Sequence, residues 1–132
     1  MSQENVENVR AAYEAIARRD RTALEALITE HVATDFEYEA FLTGRTYQGV
    51  DGFWEFLDDI RETVGFTPDV QEIVDLDEHV LIVVQMSGRG SQSGVPVAQQ
   101  AAVLLTFDGS TLRSGKAFAS RDEALEVLGL RE

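Results

Sequence analysis

The stretch from Thr46 to Val64 carries apolar residues at the spacing of one buried helical stripe. This stripe consists of Val50, Phe53, Leu57, Ile60 and Val64. Three more aromatic residues, Tyr47, Trp54 and Phe56, lie in or beside the same helix. They give it more bulky apolar surface than one stripe needs, so we expect this helix to close a cavity or to form an interface.

The residues before this helix predict two further helices and one strand. The first helix spans about Gln3 to Arg19, and Asp20 caps a second helix that ends near His31. From Asp35 to Phe41, apolar and acidic residues alternate, as in a half-buried strand. A turn-rich segment then leads into the aromatic helix, which we expect to stop at Gly65.

After that helix the apolar period changes from that of a helix to that of a strand. Four strands are predicted, over Val70–Leu76, His79–Gly88, Val95–Phe107 and Thr111–Ala119. A loop over Arg89–Gly94 and a tight turn at Asp108 and Gly109 join the last three strands. Ser120 and Glu123 then form a capping box for a short helix that Gly129 ends.

This order of elements predicts a single α+β domain over residues 1–132. A curved antiparallel, partly mixed sheet would wrap around three N-terminal helices as a cone-shaped, cystatin-like roll with an interior pocket. The outer face of the sheet is also predicted to be apolar, through Ile82, Val84, Ala102 and Leu104. A homodimer formed through this face would cover it.

Composition narrows the classes of partner. The chain has 24 acidic and 11 basic residues and a formal net charge of -13, so nucleic acid and anionic membrane would be repelled. Cysteine is absent, which excludes disulfides and cysteine nucleophiles. The polar N-terminal segment has no apolar signal core, so we expect a cytoplasmic protein. The one basic cluster, at Arg18, Arg19 and Arg21, is interpreted as a solvated helix end.

Four sequence motifs in this order resemble the nuclear-transport-factor-2-like superfamily, in its SnoaL-like and ketosteroid-isomerase-like branch. They are AAYEAIARRD in the first helix, YQGVDGF at the entry to the third, GRGSQSGVP in the loop between strands, and the terminal SRDEALEVLGL. The resemblance covers nearly the whole chain. It implies the roll described above, while the activity in this superfamily depends on a few pocket residues.

The resemblance to ketosteroid isomerases also implies positions for an acid-base site. Their carboxylate base position falls at Tyr38, with Glu37 and Glu39 pointing away on either side, and a slip of one residue would turn either glutamate inward. The position of their second acid falls near Val103, which cannot donate a hydrogen bond. Tyr13 lies one residue from the position of their helical tyrosine.

Three polar residues interrupt the apolar strands and are expected to face the pocket. Gln85 and Gln99 would orient a ligand or would bond to each other across strands. Lys116 shares its strand face with Ser114 and Phe118, and it would act as a base or an anchor if buried. The alternative is that Lys116 reaches the rim and pairs with a carboxylate.

The predicted ligand pocket combines these residues with the aromatic ones. Its members are Tyr13, Phe36, Tyr38, Phe53, Trp54, Leu57, Gln85, Gln99, Val103, Ser114, Lys116 and Phe118. Trp54 lies off the main stripe, so it would serve either the pocket or a dimer contact. His31 and His79 have no neighbours at metal-ligand spacing, so no metal site is predicted.

The sequence therefore predicts a pocket protein that binds an apolar, carbonyl-containing small molecule without a cofactor. The alternative is an isomerase, cyclase or lyase that acts on a steroid- or polyketide-like substrate by general acid-base chemistry. Its catalytic candidates are Tyr38, Lys116, Tyr13, Glu37 and Glu39, with the two tyrosines as donors and Lys116 or a glutamate as base.

Overall fold

A computed structural model describes residues 2–40, 44–64, 67–89 and 96–129. These residues form four helices and six strands in the following order. The elements are α1 (Ser2–Arg18), α2 (Arg21–His31), β1 (Val32–Glu39), β2 (Thr46–Gln48), α3 (Gly49–Val64), β3 (Thr67–Leu76), β4 (His79–Arg89), β5 (Pro96–Asp108), β6 (Thr111–Phe118) and α4 (Arg121–Val127). Three predicted features lie outside the described residues: the end of the first strand at Phe41, the stop of the aromatic helix at Gly65, and positions 90–94 of the predicted loop.

The strands form one open, mixed sheet in the order β2-β1-β6-β5-β4-β3. Neighbouring strands are antiparallel except β1 and β6, which are parallel. The α+β class and the mixed sheet predicted from the sequence are confirmed. The parallel pair places the first strand beside the last one, so Tyr38 of β1 lies opposite Gly115 of β6.

The strand β2 is a difference from the predicted arrangement. Thr46–Gln48 pairs with β1 and places Tyr47 opposite Tyr38, so the helix begins only at Gly49. Gly49 has a φ of 71°, a backbone conformation that glycine adopts without steric cost. Tyr47 is 1% exposed and therefore belongs to the core as a strand residue.

The junction of α1 and α2 is a tight, fully bonded turn. The backbone N–H of Asp20 donates to the carbonyl of Ala15 at 2.9 Å, and that of Arg19 donates to Ile16 at 3.1 Å. This is the Schellman arrangement, with Arg19 in the left-handed region at a φ of 56°. The Asp20 side chain accepts from the backbone N–H of Ala23, which confirms its predicted role as the cap of α2.

The sheet separates two apolar clusters. The inner cluster packs under helices α1 and α3 and includes Val80, Ile82, Val84, Ala101, Val103, Leu105 and Phe107 of β4 and β5. The outer cluster comprises Leu81, Ala102, Leu104 and Phe118 with Ala124 and Leu125 of α4. The main core therefore lies between the sheet and helices α1 and α3.

The predicted outer position of Ile82 and Val84 is wrong. Residues opposite each other in a sheet project to the same face, and Ile82 lies opposite Val103, which is inward. The outer position of Ala102 and Leu104 is correct, but α4 packs over them. Much of the apolar surface expected to form a dimer is thus already buried within one chain.

Candidate functional site

A cavity of about 350 Å³ lies between the inner face of the sheet and helices α1, α2 and α3. Its volume falls within the range of roughly 300–1,000 Å³ typical of small-molecule sites. Seven of the residues predicted for the pocket line it, namely Tyr13, Phe36, Tyr38, Phe53, Trp54, Leu57 and Val103. Aliphatic side chains of α1, α2 and β5 make up half of the remaining lining.

Five aromatic side chains form a continuous series along one side of this cavity, which we call the aromatic wall: Phe56, Tyr38, Phe36, Phe53 and Trp54. The ring centroids of Phe56 and Tyr38 lie 4.7 Å apart, edge to face, and those of Tyr38 and Phe36 lie 6.5 Å apart in a stacked arrangement. Phe36 is 6.4 Å from Phe53, and Phe53 is 6.0 Å from Trp54. These distances lie in the range in which aromatic rings stabilise one another.

Tyr13 and Tyr38 contribute two hydroxyl groups to the cavity, whose lining also includes the polar side chains of Asn8 and His31. Burial raises the pKa of Tyr13 from 10.0 to about 12. Burial likewise raises the pKa of Tyr38, and the nearby Tyr13 and then Tyr47 add to this shift. Within the described residues, neither Tyr13 nor Tyr38 forms a side-chain hydrogen bond. Both hydroxyls therefore stay protonated at neutral pH and remain available to a ligand.

The two glutamates of β1 point away from the cavity. Burial alternates along the strand, with Phe36 and Tyr38 buried and Glu37 and Glu39 exposed. Glu37 accepts a hydrogen bond from the side-chain amide of Gln48 at 3.3 Å. The predicted strand register is correct, and neither glutamate can act as a base inside this cavity.

The expectation that Lys116, Ser114 and Phe118 face the cavity is wrong. Phe118 packs in the outer cluster, and Lys116 forms an ion pair with Glu39 at 3.2 Å. The reason is an irregularity in the pairing of β5 with β6 near Phe107, which shifts the strand parity. Gly115 faces inward instead. This orientation is seen from the position of a Cβ built on Gly115, which would lie 2.7 Å from a ring carbon of Tyr38.

Gln85 is not among the described residues that line the cavity. Gln85 lies opposite Gln100 in the sheet, one residue from the predicted partner, and shares the outer face with Leu81. Gln99 lies opposite Met86 by backbone register, and its side chain is outside the described part of the structure. The predicted role of Gln85 in orienting a ligand is therefore wrong, because it points away from the cavity.

The mouth of the cavity carries charged residues that the sequence did not assign to it. Arg19, Asp20 and Arg21 are exposed and line the cavity at the junction of α1 and α2. The guanidinium carbon of Arg21 lies 4.2 Å from the ring centroid of Trp54. Two members of the basic cluster, interpreted from the sequence as a solvated helix end, thus border the site. No local sequence pattern distinguishes arginines at a solvated helix end from arginines at the mouth of a cavity.

His31 also lines the cavity, although the sequence indicated only a helix end. Its side chain is 18% exposed, and its Nε2 lies 3.8 Å from a carboxylate oxygen of Glu30. His79, by contrast, bonds to the Thr106 hydroxyl at 3.0 Å, away from the cavity lining. His31 is therefore the imidazole that the described structure presents to a ligand.

The described residues contain no group of three or more histidine, cysteine, aspartate or glutamate side chains placed to hold a metal ion. None of the helices they form is long and apolar enough to cross a membrane.

The chain belongs to the family of SnoaL-like domains, whose family model matches residues 9–117. The match includes the C-terminal part of α1, all of α2 and α3 and most of the sheet, so it contains every residue of the cavity lining except Asn8. The resemblance to the nuclear-transport-factor-2-like superfamily is confirmed. A comparison with curated proteins finds no match.

Solved structures share the fold at low sequence identity. A protein with a ketosteroid isomerase-like fold from Catenulispora acidiphila DSM 44928, in complex with trimethylamine, is 22% identical, with a TM-score of 0.71 over 94% of this chain and 93% of its own. TerC co-crystallised with polyporic acid is 17% identical, with a TM-score of 0.70 over 95% and 98%. A candidate SnoaL-like polyketide cyclase from Jannaschia sp. CCS1 is 14% identical, with a TM-score of 0.72 over 97% and 91%. These similarities establish the fold.

Proposed function

We propose that this protein binds an apolar, carbonyl-containing small molecule in the cavity between its helices and sheet. The observation that carries the proposal is an aromatic cavity lined by Tyr13 and Tyr38, two tyrosines whose pKa values are raised by burial. Neither hydroxyl is used by another side chain in the described residues. Each can therefore donate to a ligand carbonyl while the rings contact its apolar body.

Two relatives in fold support a small-molecule function. The Catenulispora protein was crystallised with trimethylamine, and TerC with polyporic acid. Both of these ligands are small enough for a site of this class. Neither relative is similar enough in sequence to name the ligand of this protein.

A thermal-shift screen with steroid and polyketide-like carbonyl compounds tests the proposal. Each hit would then be measured by calorimetry on the wild type, on Tyr38→Phe and on Lys116→Met. We expect Tyr38→Phe to weaken binding, because the donor to the carbonyl is lost. Lys116→Met serves as the matched control outside the cavity and should bind normally. Equal affinities for all three proteins would place the ligand elsewhere and reject the proposal.

The alternative is a cofactor-independent isomerase, cyclase or lyase acting by general acid-base chemistry. His31 favours it, because an imidazole in the cavity lining beside Glu30 has the chemistry of a base. The test is exchange of protons next to the carbonyl of a bound ketone in deuterated water, followed by NMR. Exchange that His31→Gln abolishes supports an enzyme, whereas no exchange above the solvent rate supports binding alone.

A homodimer in the cytoplasm completes the proposal. Because α4 covers part of the outer face, the second copy would contact α4 and the adjoining strand surface. Val127 of α4 is 63% exposed and is the large apolar side chain that the described residues leave most accessible. Light scattering on the wild type and on Val127→Asp tests this arrangement, and a monomeric wild type would reject it.

A further inference from the structure

We propose that the ligand is a planar ring carboxylate, with its rings along the aromatic wall and its carboxylate bound by Arg21 at the mouth. This inference rests on the proposed function and adds the charge and shape of the ligand. It is carried by the position of Arg21, by the absence of an ion pair to Arg21 among the described residues, and by the continuity of the wall.

Arg21 is held at the edge of the cavity by its contact with Trp54. The guanidinium lies 4.2 Å from the indole centroid, and both residues line the cavity. Stacking occupies the flat face of a guanidinium and leaves the N–H groups in its plane free. Those groups match the two oxygens of a carboxylate, which arginine binds through paired hydrogen bonds.

The two arginines at the mouth form no ion pair with a carboxylate of the described residues, although Asp20 lies between them in the sequence. Several arginines elsewhere form ion pairs, for example Arg45 with Asp59 at 2.7 Å and Arg121 with Glu72 at 3.0 Å. Arg19 and Arg21 form none among the residues that the structure describes. Asp20, which lies between them, accepts a hydrogen bond from the backbone N–H of Ala23 and caps α2.

The local charge of the lining opposes the charge of the whole protein. The chain has a net charge of -13, which by itself would attract cations. The lining nevertheless contains two arginines and one acidic residue, Asp20. Within about 10 Å, the Debye length at 0.1 M salt, these nearby charges dominate over distant ones. The lining itself therefore carries a small net positive charge at the mouth, although Glu25 lies one helical turn from Arg21 in α2.

The aromatic wall connects this mouth to the tyrosine hydroxyls. Trp54, Phe53, Phe36 and Tyr38 follow one another at centroid distances of 6.0, 6.4 and 6.5 Å. Phe36 and Tyr38 lie within 11° of parallel and offer a face on which a flat ring system can stack. Phe53 is tilted by 59° from Phe36 and Trp54 by 88° from Phe53, so these two present ring edges as well. A carbonyl at the inner end of that system would meet the hydroxyl of Tyr38 while the carboxylate stays at Arg21.

Calorimetry with a fluorenone carboxylate and its primary amide tests this inference. The two probes share ring system and carbonyl, and they differ in charge. We expect wild-type protein to bind the acid about tenfold more tightly than the amide at low salt. Added salt should reduce this preference, because the arginine is exposed.

Three variants assign the preference to one side chain. Arg21→Gln should bind acid and amide equally, and Arg21→Lys, which keeps the charge but not the paired donors, should retain part of the preference. Arg18→Gln is the matched control, because Arg18 is outside the lining and pairs with Glu14 at 3.8 Å. Tyr38→Phe should weaken both probes alike, which places both of them in the cavity.

Two results would overturn the inference while leaving the proposed function intact. One is equal binding of acid and amide by the wild type, with both weakened by Tyr38→Phe. The other is an equal loss of acid affinity in Arg18→Gln and Arg21→Gln. If neither probe binds and the carbonyl screen also finds no ligand, the proposed function itself fails and the inference fails with it.

Discussion

The ammonium group of Lys116 and the carboxylate of Glu39 lie 3.2 Å apart on the outer face of the sheet. The two residues are opposite each other in the parallel pairing of β6 with β1, and each side chain is about half exposed. This contact removes two candidate bases from the cavity at once. It corresponds to the alternative in which Lys116 pairs with a carboxylate.

Replacing Lys116 with methionine should therefore change little. An exposed ion pair contributes about 0–1 kcal/mol, so the free energy of unfolding should fall by no more than that. Ligand affinity should be unchanged, because the side chain does not reach the cavity. Urea denaturation and calorimetry measure the two quantities, and a clear loss of affinity would return Lys116 to the site.

Phenylalanine at two tyrosine positions should separate binding from stability. Tyr38→Phe should weaken carbonyl ligands by roughly threefold to tenfold with little change in stability, because its hydroxyl has no partner in the described residues. Tyr47→Phe should do the reverse. Its hydroxyl donates to the Asp59 carboxylate at 2.7 Å, so its loss should lower the free energy of unfolding by about 1–3 kcal/mol.

Gly115 permits the close contact of β6 with Tyr38. A Cβ at this position would lie 2.7 Å from Tyr38 Cδ1 and 2.9 Å from Leu105 Cδ2. Gly115→Ala should therefore lower the free energy of unfolding by about 1–3 kcal/mol and displace the Tyr38 ring. Ser114→Ala, one residue away on the outer face, is the control. Thermal denaturation of both variants checks the prediction, and equal melting temperatures would contradict it.

The buried tyrosines should make stability fall at high pH. The pKa of Tyr13 is raised from 10.0 to about 12 in the folded protein, and that of Tyr38 is also raised. Their contribution is complete below about pH 10 and is lost as the pH rises toward and through the raised values, because the unfolded chain releases its protons first. Tyr13→Phe should flatten this decline. Urea midpoints between about pH 8 and 12 measure it, and parallel curves would contradict the shift.

Glycine at position 19 should stabilise the junction of α1 and α2. Arg19 has a φ of 56°, a conformation that costs a residue with a side chain roughly 1 kcal/mol. Arg19→Gly should raise the free energy of unfolding by up to about 1 kcal/mol. Arg18→Gly, at the last residue of α1, should not raise it, because Arg18 is not in the left-handed conformation. A lower melting temperature for Arg19→Gly would show that the arginine side chain itself stabilises the fold.

The elements and the orientation of β1 could be predicted because apolar periods are local properties of a sequence. The alternation around Tyr38 predicts its inward position, and the stripe through Phe53 and Leu57 predicts a cavity wall. The face of Lys116 could not be predicted, because one irregular pairing in β6 inverts it. The place of Arg21 depends on how α2 meets Trp54 of α3, which is a tertiary contact that no local pattern encodes.

The contact between Arg21 and Trp54 has a practical consequence for finding the ligand. Trp54 is the one tryptophan of the chain, and it lies in the cavity lining beside a cation. The tryptophan fluorescence of the protein therefore reports the environment of one residue, and that residue lies in the proposed binding cavity. A compound that enters the cavity will change the emission of unlabelled protein, so the protein contains its own optical reporter of occupancy.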